Sequence, residues 1–318
     1  MKLTWDNYLG NSPALYAQKV IKECGLKEPP ICEQTVADYL RLEVKEIPRN
    51  LIKEFFGNLG HNVLKTVCAM LIKRGDKGCI YYNGETRLER KRLSIFHECG
   101  HEVLPWHECH DYCCTEKDVD PDVHKRMERE AFGCGSEFLM PKKLFIEDSL
   151  SLEIGIPSIE RLRQRYVASM EATAIWYALT QPGLCGIVMV ESSANRKQKQ
   201  KDIIEPGQMV FPYNTPSRPV NPFDTQRYPL SVQYFAKSHY FPKYIRSGQG
   251  IEAGNLVFNA WHHNRQMRGE VPAAVFGSSA RWSYNAECLP LGNTGKMLVL
   301  LWLPCHQLKF NYGNGVMM

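Results

Sequence analysis

No apolar run in this chain approaches the ~20 residues that a helix needs to cross a bilayer, so nothing in it reads as a membrane span. The opening Met1-Lys2-Leu3-Thr4-Trp5-Asp6-Asn7 lacks the apolar core of a signal peptide, which sets the expectation of a cytoplasmic protein. Internal repeats and long low-complexity tracts are missing as well. Strong charge of one sign is also lacking: a net +5 over 318 residues permits an acidic partner but does not demand nucleic acid. Cysteine is plentiful, at 12 residues, yet a chain with no secretory signal does not default to disulfides. Most of these thiols are expected to pack as small buried hydrophobes.

Against that background one short stretch stands out, Phe96-His97-Glu98-Cys99-Gly100-His101. It contains His-Glu-x-x-His. Two histidines four apart on a helix share a face about one turn apart, so both imidazoles can bind one metal ion. Glu98 lies beside them, where a carboxylate can take a proton from a water at the ion.

The length suggests two domains. Residues 12–25 read as a first helix, with Ser12 as N-cap, Pro13 at the first helical position and Gly25 at its end. Glu33 to Leu42 reads as a second. The apolar runs Val67–Ile72 and Cys79–Tyr82, around Gly75-Asp76-Lys77-Gly78, read as a β-hairpin, and an edge strand there could hold an extended peptide. The motif helix spans 88–104, with Pro105 limiting it. Asp120-Pro121 starts another helix, which must stop at Met140 because Pro141 follows. On it His124, Glu128, Ala131 and Gly135 share a face, and the small residues at 131 and 135 would admit the motif helix closely.

Residues 158–180 read as two short helices with a turn near Val167-Ala168-Ser169. Beyond Gln181-Pro182-Gly183 the composition shifts to strands, expected at 185–191, 255–261, 271–284 and 296–303. The basic run Arg196–Lys201 reads as a solvated hairpin tip. The prolines between Pro206 and Pro229 argue for an irregular connection.

A catalytic zinc takes three protein ligands and keeps one open position. His97 and His101 supply two. His107 fits the spacing of a third histidine, although the glycine that usually breaks the helix there is replaced by Leu104, with Pro105 one residue late. Glu128 and Glu130 compete from the next helix. They lie about 200° apart around it and should not face the same ion. The cluster His107, Cys109, His110, Cys113 and Cys114 could be a second metal site. Its spacing fits no standard zinc module, so a loop with buried thiols is the preferred reading.

Three segments together resemble the ImmA/IrrE family of metallo-endopeptidases: Arg92–His101, Glu128-Arg129-Glu130-Ala131-Phe132, and Glu137-Phe138-Leu139-Met140-Pro141. The resemblance covers roughly residues 12–180. It implies a gluzincin-like Zn2+ site with His97, His101 and Glu128 as metal ligands and Glu98 as the catalytic acid/base. Asparagine is usual where Phe132 stands, so a polar contact near the ligands is lost or left to another residue such as His124.

The resemblance further implies a zinc endopeptidase that cleaves a regulatory protein. That substrate is often a helix-turn-helix DNA-binding repressor, and its cleavage switches on stress-response or mobile-element genes. Some family members carry a GAF-like sensory domain at the C-terminus, and no motif in 183–318 establishes one. The expected fold is α+β. A zincin-like metallopeptidase core of helices and a small sheet (1–145) is followed by a helical, helix-turn-helix-like segment (146–182) and a mainly β or α+β accessory domain (183–318). The rival reading is a DNA-binding or interaction regulator, using 158–180 and 196–201, in which the zinc is structural.

Overall fold

The computed structural model describes residues 12–48, 68–74, 77–107, 121–193, 227–242 and 244–303. The expected cluster from Cys109 to Cys114, the Asp120 cap, the basic run 196–201 and the prolines from 206 to 222 lie outside them. The fold is α+β, and the chain divides into two compact units. One draws on Met1–Glu147 and Leu162–Ser169. The other draws on Asp148–Arg161, Met170–Pro206 and Val210–Met318.

In the first unit, α1 (Pro13–Glu23) begins on proline as expected, although the Ser12 side chain makes no capping bond. Its buried Tyr16, Ala17 and Val20 recur at helical spacing. The second helix is shorter than the sequence suggested. α2 (Glu33–Tyr39) ends before Arg41, whose positive φ of 60° turns the chain, and Leu42–Glu46 is a strand, β1. That strand was hidden by its charged residues: only Leu42 is buried in it. The hairpin forms as expected from β2 (Ala69–Arg74) and β3 (Lys77–Tyr82). β1 joins β3 in parallel, giving the order β1-β3-β2 with β2 outermost.

The motif helix, α3 (Leu88–Val103), is buried at every position from Arg92 to Val103. Such a helix must be enclosed by other elements rather than lie on a surface. Sheet strand β2 contacts one side of it and α4 (Pro121–Leu139) another. Two small residues set the distance between the helices. A Cβ on Gly100 would lie 2.6 Å from the Ala131 carbonyl oxygen, and one on Gly135 would lie 2.9 Å from the His97 nitrogen. Both obstacles are backbone, which cannot step aside as a side chain can. Phe96 stacks on Phe138 beside this seam, with ring centroids 5.6 Å apart.

Arg92 anchors the start of the buried stretch. Its guanidinium pairs with Glu33 at 3.0 Å and donates to the carbonyls of Ile31 (2.5 Å), Tyr166 (2.6 Å) and Val167 (3.1 Å). The last two close the turn expected near Val167. There Val167 itself takes a positive φ of 49°, a strained position for a β-branched residue. That turn joins α6 (Ile156–Tyr166) to α7 (Met170–Thr180). The helix α5 (Lys142–Leu150), which precedes them, was not foreseen.

The second unit is built on a six-stranded antiparallel sheet, order β6-β5-β4-β9-β8-β7. Its strands are β4 (Cys185–Ser192), β5 (Leu230–Lys237), β6 (Gly250–Ile251), β7 (Met267–Pro272), β8 (Ser283–Pro290) and β9 (Lys296–Trp302). β4 is buried on both faces, which explains its unbroken apolar run. α7 contacts β4 and β5, while α8 (Leu256–His262) contacts β7 and β8.

Two expectations are corrected here. The run 255–261 is a helix, because the Asn255 carboxamide accepts the Phe258 N–H at 3.0 Å and Val257 and Ala260 bury one turn apart. The single strand expected over 271–284 is two strands, separated by the 3-10 turn Ala273–Phe276.

The seam between α3 and α4 is testable. Gly135→Ala must push the helices apart and should cost about 1–3 kcal/mol. Thermal unfolding of the metal-free protein measures this, and an unchanged melting temperature would contradict the close approach.

Candidate metal centre

α3 ends where proline dictates. Pro105 holds Leu104 out of helical geometry (ψ 113°), so the break falls at the position where the sequence has leucine in place of glycine. The 3-10 turn Pro105–His107 then curls back, and the His107 N–H donates to the Leu104 carbonyl at 3.0 Å.

His97 and His101 project from one face of α3, with their Nε2 atoms 3.2 Å apart. Glu128 reaches them from α4. One of its carboxylate oxygens lies 3.2 Å from His97 Nε2 and the other 3.4 Å from His101 Nε2. Among the described residues these three side chains form the one group able to hold a metal ion. Two ligand atoms about 2.0–2.1 Å from a tetrahedral zinc are about 3.3 Å from each other. The observed separations sit around that value, and two nitrogens with an oxygen pair are the donor set that zinc takes. The residues therefore fit the ion implied by the resemblance.

The other candidates fall elsewhere. Glu98 is buried next to the pair and takes a hydrogen bond from the Leu71 backbone. His107 stands behind His101, with the two Nδ1 atoms 3.2 Å apart, and its Nε2 meets Glu130 at 3.1 Å. Glu130 thus faces His107 while Glu128 faces the histidine pair, as their angular offset on α4 requires. His124 lies 3.8 Å from Glu128 but is mostly exposed. Two further contacts had no sequence signal: Trp106 Nε1 donates to Glu130 at 2.6 Å, and Lys73 on β2 pairs with the buried Glu102 at 2.7 Å. Neither follows from spacing along one helix, because each joins two elements.

Burial and charge pull the groups apart. Burial drives His101 down to about 4, against the Glu128 hydrogen bond, so its ring is neutral with a lone pair to give. For His97 burial also disfavours the charge, but the hydrogen bond to Glu128 and the nearby carboxylates leave it raised. Burial opposes ionisation of Glu128 too; its hydrogen bonds to both histidines win and hold it well below the usual carboxylate range. Glu98 has no such partner. Desolvation raises it to about 7, helped by Glu128 and opposed by His97 and the Leu71 N–H. Two carboxyls in one cluster are therefore set in opposite directions.

Residues 63–175 match the family described as the IrrE N-terminal-like domain of the M78 peptidases. That match supports an ImmA/IrrE family metallopeptidase over this stretch. A solved structure of a Mycobacterium tuberculosis transcriptional regulator is similar over 98% of this chain and 95% of its own, at 13% identity and a TM-score of 0.49. No curated protein matches the chain.

The raised Glu98 has a measurable signature in the metal-free protein. A carboxyl lifted from 4.5 to about 7 on folding favours the fold fully below pH 4.5, and that contribution is lost as pH rises through 7. Glu98→Gln removes this loss. At pH 8 the metal-free variant should exceed the wild type in stability, relative to their difference at pH 5, by on the order of 3 kcal/mol. Denaturant titrations at the two pH values should therefore diverge, and parallel curves would show that Glu98 is not raised.

Proposed function

We propose that the chain is a cytoplasmic zinc-dependent endopeptidase that hydrolyses a peptide bond in a regulatory protein, with His97, His101 and Glu128 as metal ligands and Glu98 as the acid/base. The observation that carries this reading is the convergence of two histidine nitrogens and the Glu128 carboxylate at 3.2–3.4 Å. A bound zinc ion supplies Lewis acidity that polarises a carbonyl and makes water a nucleophile near neutral pH.

The protein's own groups divide the rest. His101, neutral, and His97 offer their Nε2 lone pairs, while Glu128 brings the negative charge. Glu98 takes the proton of the attacking water and passes it to the leaving amine, a role suited to a carboxyl set near neutrality. β2 supplies the platform. The Asn83 N–H donates to the Cys68 carbonyl at 2.9 Å, so Met70 and Ile72 share the next hydrogen-bonded pairs with β3. The main-chain groups of Ala69, Leu71 and Lys73 then face outward, on the side where Glu98 meets Leu71. An extended peptide added along that edge would pass the acid/base.

The substrate we propose is a helix-turn-helix DNA-binding repressor, and its cleavage would switch on stress-response or mobile-element genes. The match of residues 63–175 to the IrrE N-terminal-like peptidase family supports this. The division into a peptidase core (1–145), completed by the 162–169 turn, a helical segment (146–182) and an accessory domain with a sensory role (183–318) belongs to the same proposal. Among the described residues three donors converge, where a structural zinc takes four. No described helix is long and apolar enough to cross a membrane.

The test is incubation of the zinc-loaded protein with a small helix-turn-helix repressor encoded beside it, followed by mass spectrometry of the fragments. Glu98→Gln should retain zinc and lose about 100-fold or more in cleavage rate. Glu128→Ala should lose zinc. Cleavage by Glu98→Gln at the wild-type rate would remove the proposed base, and undiminished zinc in Glu128→Ala would remove the third ligand.

A further inference from the structure

We propose that His107 is a positioning residue: with Glu130 it forms a relay that fixes the proton of His101 on Nδ1 and so turns the bare Nε2 toward the metal. The inference rests on the ligand role proposed for His101.

The relay runs inward from Glu130. An ionised carboxylate only accepts hydrogen bonds. Its Oε2 already accepts the Trp106 indole N–H at 2.6 Å, and Arg126 lies 3.8 Å from Oε1. His107 Nε2, 3.1 Å from the same Oε2, must therefore carry its hydrogen. A neutral imidazole has one N–H, so His107 Nδ1 is bare and can only accept. The atom that faces it at 3.2 Å is His101 Nδ1, which donates to it once Nε2 is given to the ion. On the opposite edge of the ring Nε2 faces His97 and Glu128. In the metal-free protein Glu128 takes a hydrogen bond from that nitrogen. When the ion replaces that hydrogen, the proton of His101 stands on Nδ1, where His107 accepts it.

The relay is enclosed, since His107 is only 1% exposed and His101 2%. Water therefore does not compete for either bond. It also gives α4 two tasks. Glu128 offers itself to the ion, and Glu130, two residues on, orients a ligand from behind through the Pro105–His107 turn. His97 has no equivalent device: its Nδ1 is buried and finds no hydrogen-bond partner among the described residues. Partners of this kind fix ring orientation, and their loss typically weakens metal binding about 10–100-fold.

The experiment combines zinc affinity, by competition with a chromophoric chelator, and long-range nitrogen NMR of the histidine rings. His107→Phe keeps an aromatic ring and removes both hydrogen bonds. It should weaken zinc binding about 10–100-fold. His107→Gln can still accept from His101 and donate to Glu130, and it should restore most of the affinity. In the wild-type, zinc-loaded protein a scalar coupling across the hydrogen bond should join His101 Nδ1 to His107 Nδ1, with the hydrogen on His101. In folded His107→Phe that coupling is gone and zinc affinity falls with it, while His107→Gln recovers the affinity, a pattern that lost packing alone would not produce.

Absence of that coupling, or a hydrogen on His107 Nδ1 in its place, overturns the inference even if His107→Phe does not fold. So does zinc affinity within about twofold of wild type in a folded His107→Phe. His101→Ala separates the two readings. If it keeps wild-type zinc affinity, the ligand role falls and takes the relay with it. If it loses zinc while His107→Phe does not, the relay alone fails.

Discussion

Everything at the metal centre depends on how closely α3 and α4 pack. The histidine pair sits on one helix and the carboxylate on the other, so ligand separations of 3.2–3.4 Å exist only if two backbones nearly touch. Gly100 against Ala131 and Gly135 against His97 make that contact possible. The second of these places glycine directly on the backbone of a proposed ligand. Small residues here do not merely save space: they set the bite of the site. Phe96 and Phe138, stacked alongside, fill what the glycines leave and hold the spacing from the apolar side.

Enclosure has an electrostatic cost, and the four ionisable groups at the centre divide it. Water is excluded from His97, Glu98 and His101, so each would prefer to be neutral. Glu128 resolves the conflict for the histidines by taking their hydrogen bonds and remaining ionised. Glu98, beside the same groups but held only by a backbone N–H, is left near the point where a proton can come or go. The proposed ligand and the proposed acid/base are thus distinguished by their neighbours, although both are glutamates.

The sequence made the local parts legible and the junctions obscure. His97 and His101 could be read because four-residue spacing on a helix fixes their common face, and Glu98 because it follows His97 directly in the motif. Glu128 and Glu130 could be separated by angle, and the small face at Ala131 and Gly135 announced a close partner. Pro105 and Pro141 marked helix ends correctly because proline acts on its immediate neighbour. What failed depended on tertiary context. The short strand at Leu42–Glu46 buries one residue, so it has no apolar alternation to detect. The run at 255–261 has strand-like composition, and an asparagine cap together with burial of Val257 and Ala260 makes it a helix. The contact of His107 with His101 follows from a three-residue turn, whose direction no periodicity encodes.

The buried guanidinium of Arg92 carries one more consequence, for the order in which the chain can be completed. It stands at the head of the enclosed stretch of α3 and is satisfied from both directions, by Ile31 and Glu33 upstream and by the carbonyls of Tyr166 and Val167 downstream. A ribosome that has released only the residues through Met140 has delivered every proposed ligand. It has not delivered the two carbonyls that let a positive charge remain inside. Until they arrive, the helix that bears the histidines has its charged end facing no acceptor on that side. The smallest self-sufficient version of this centre is thus longer than the list of residues that touch the ion.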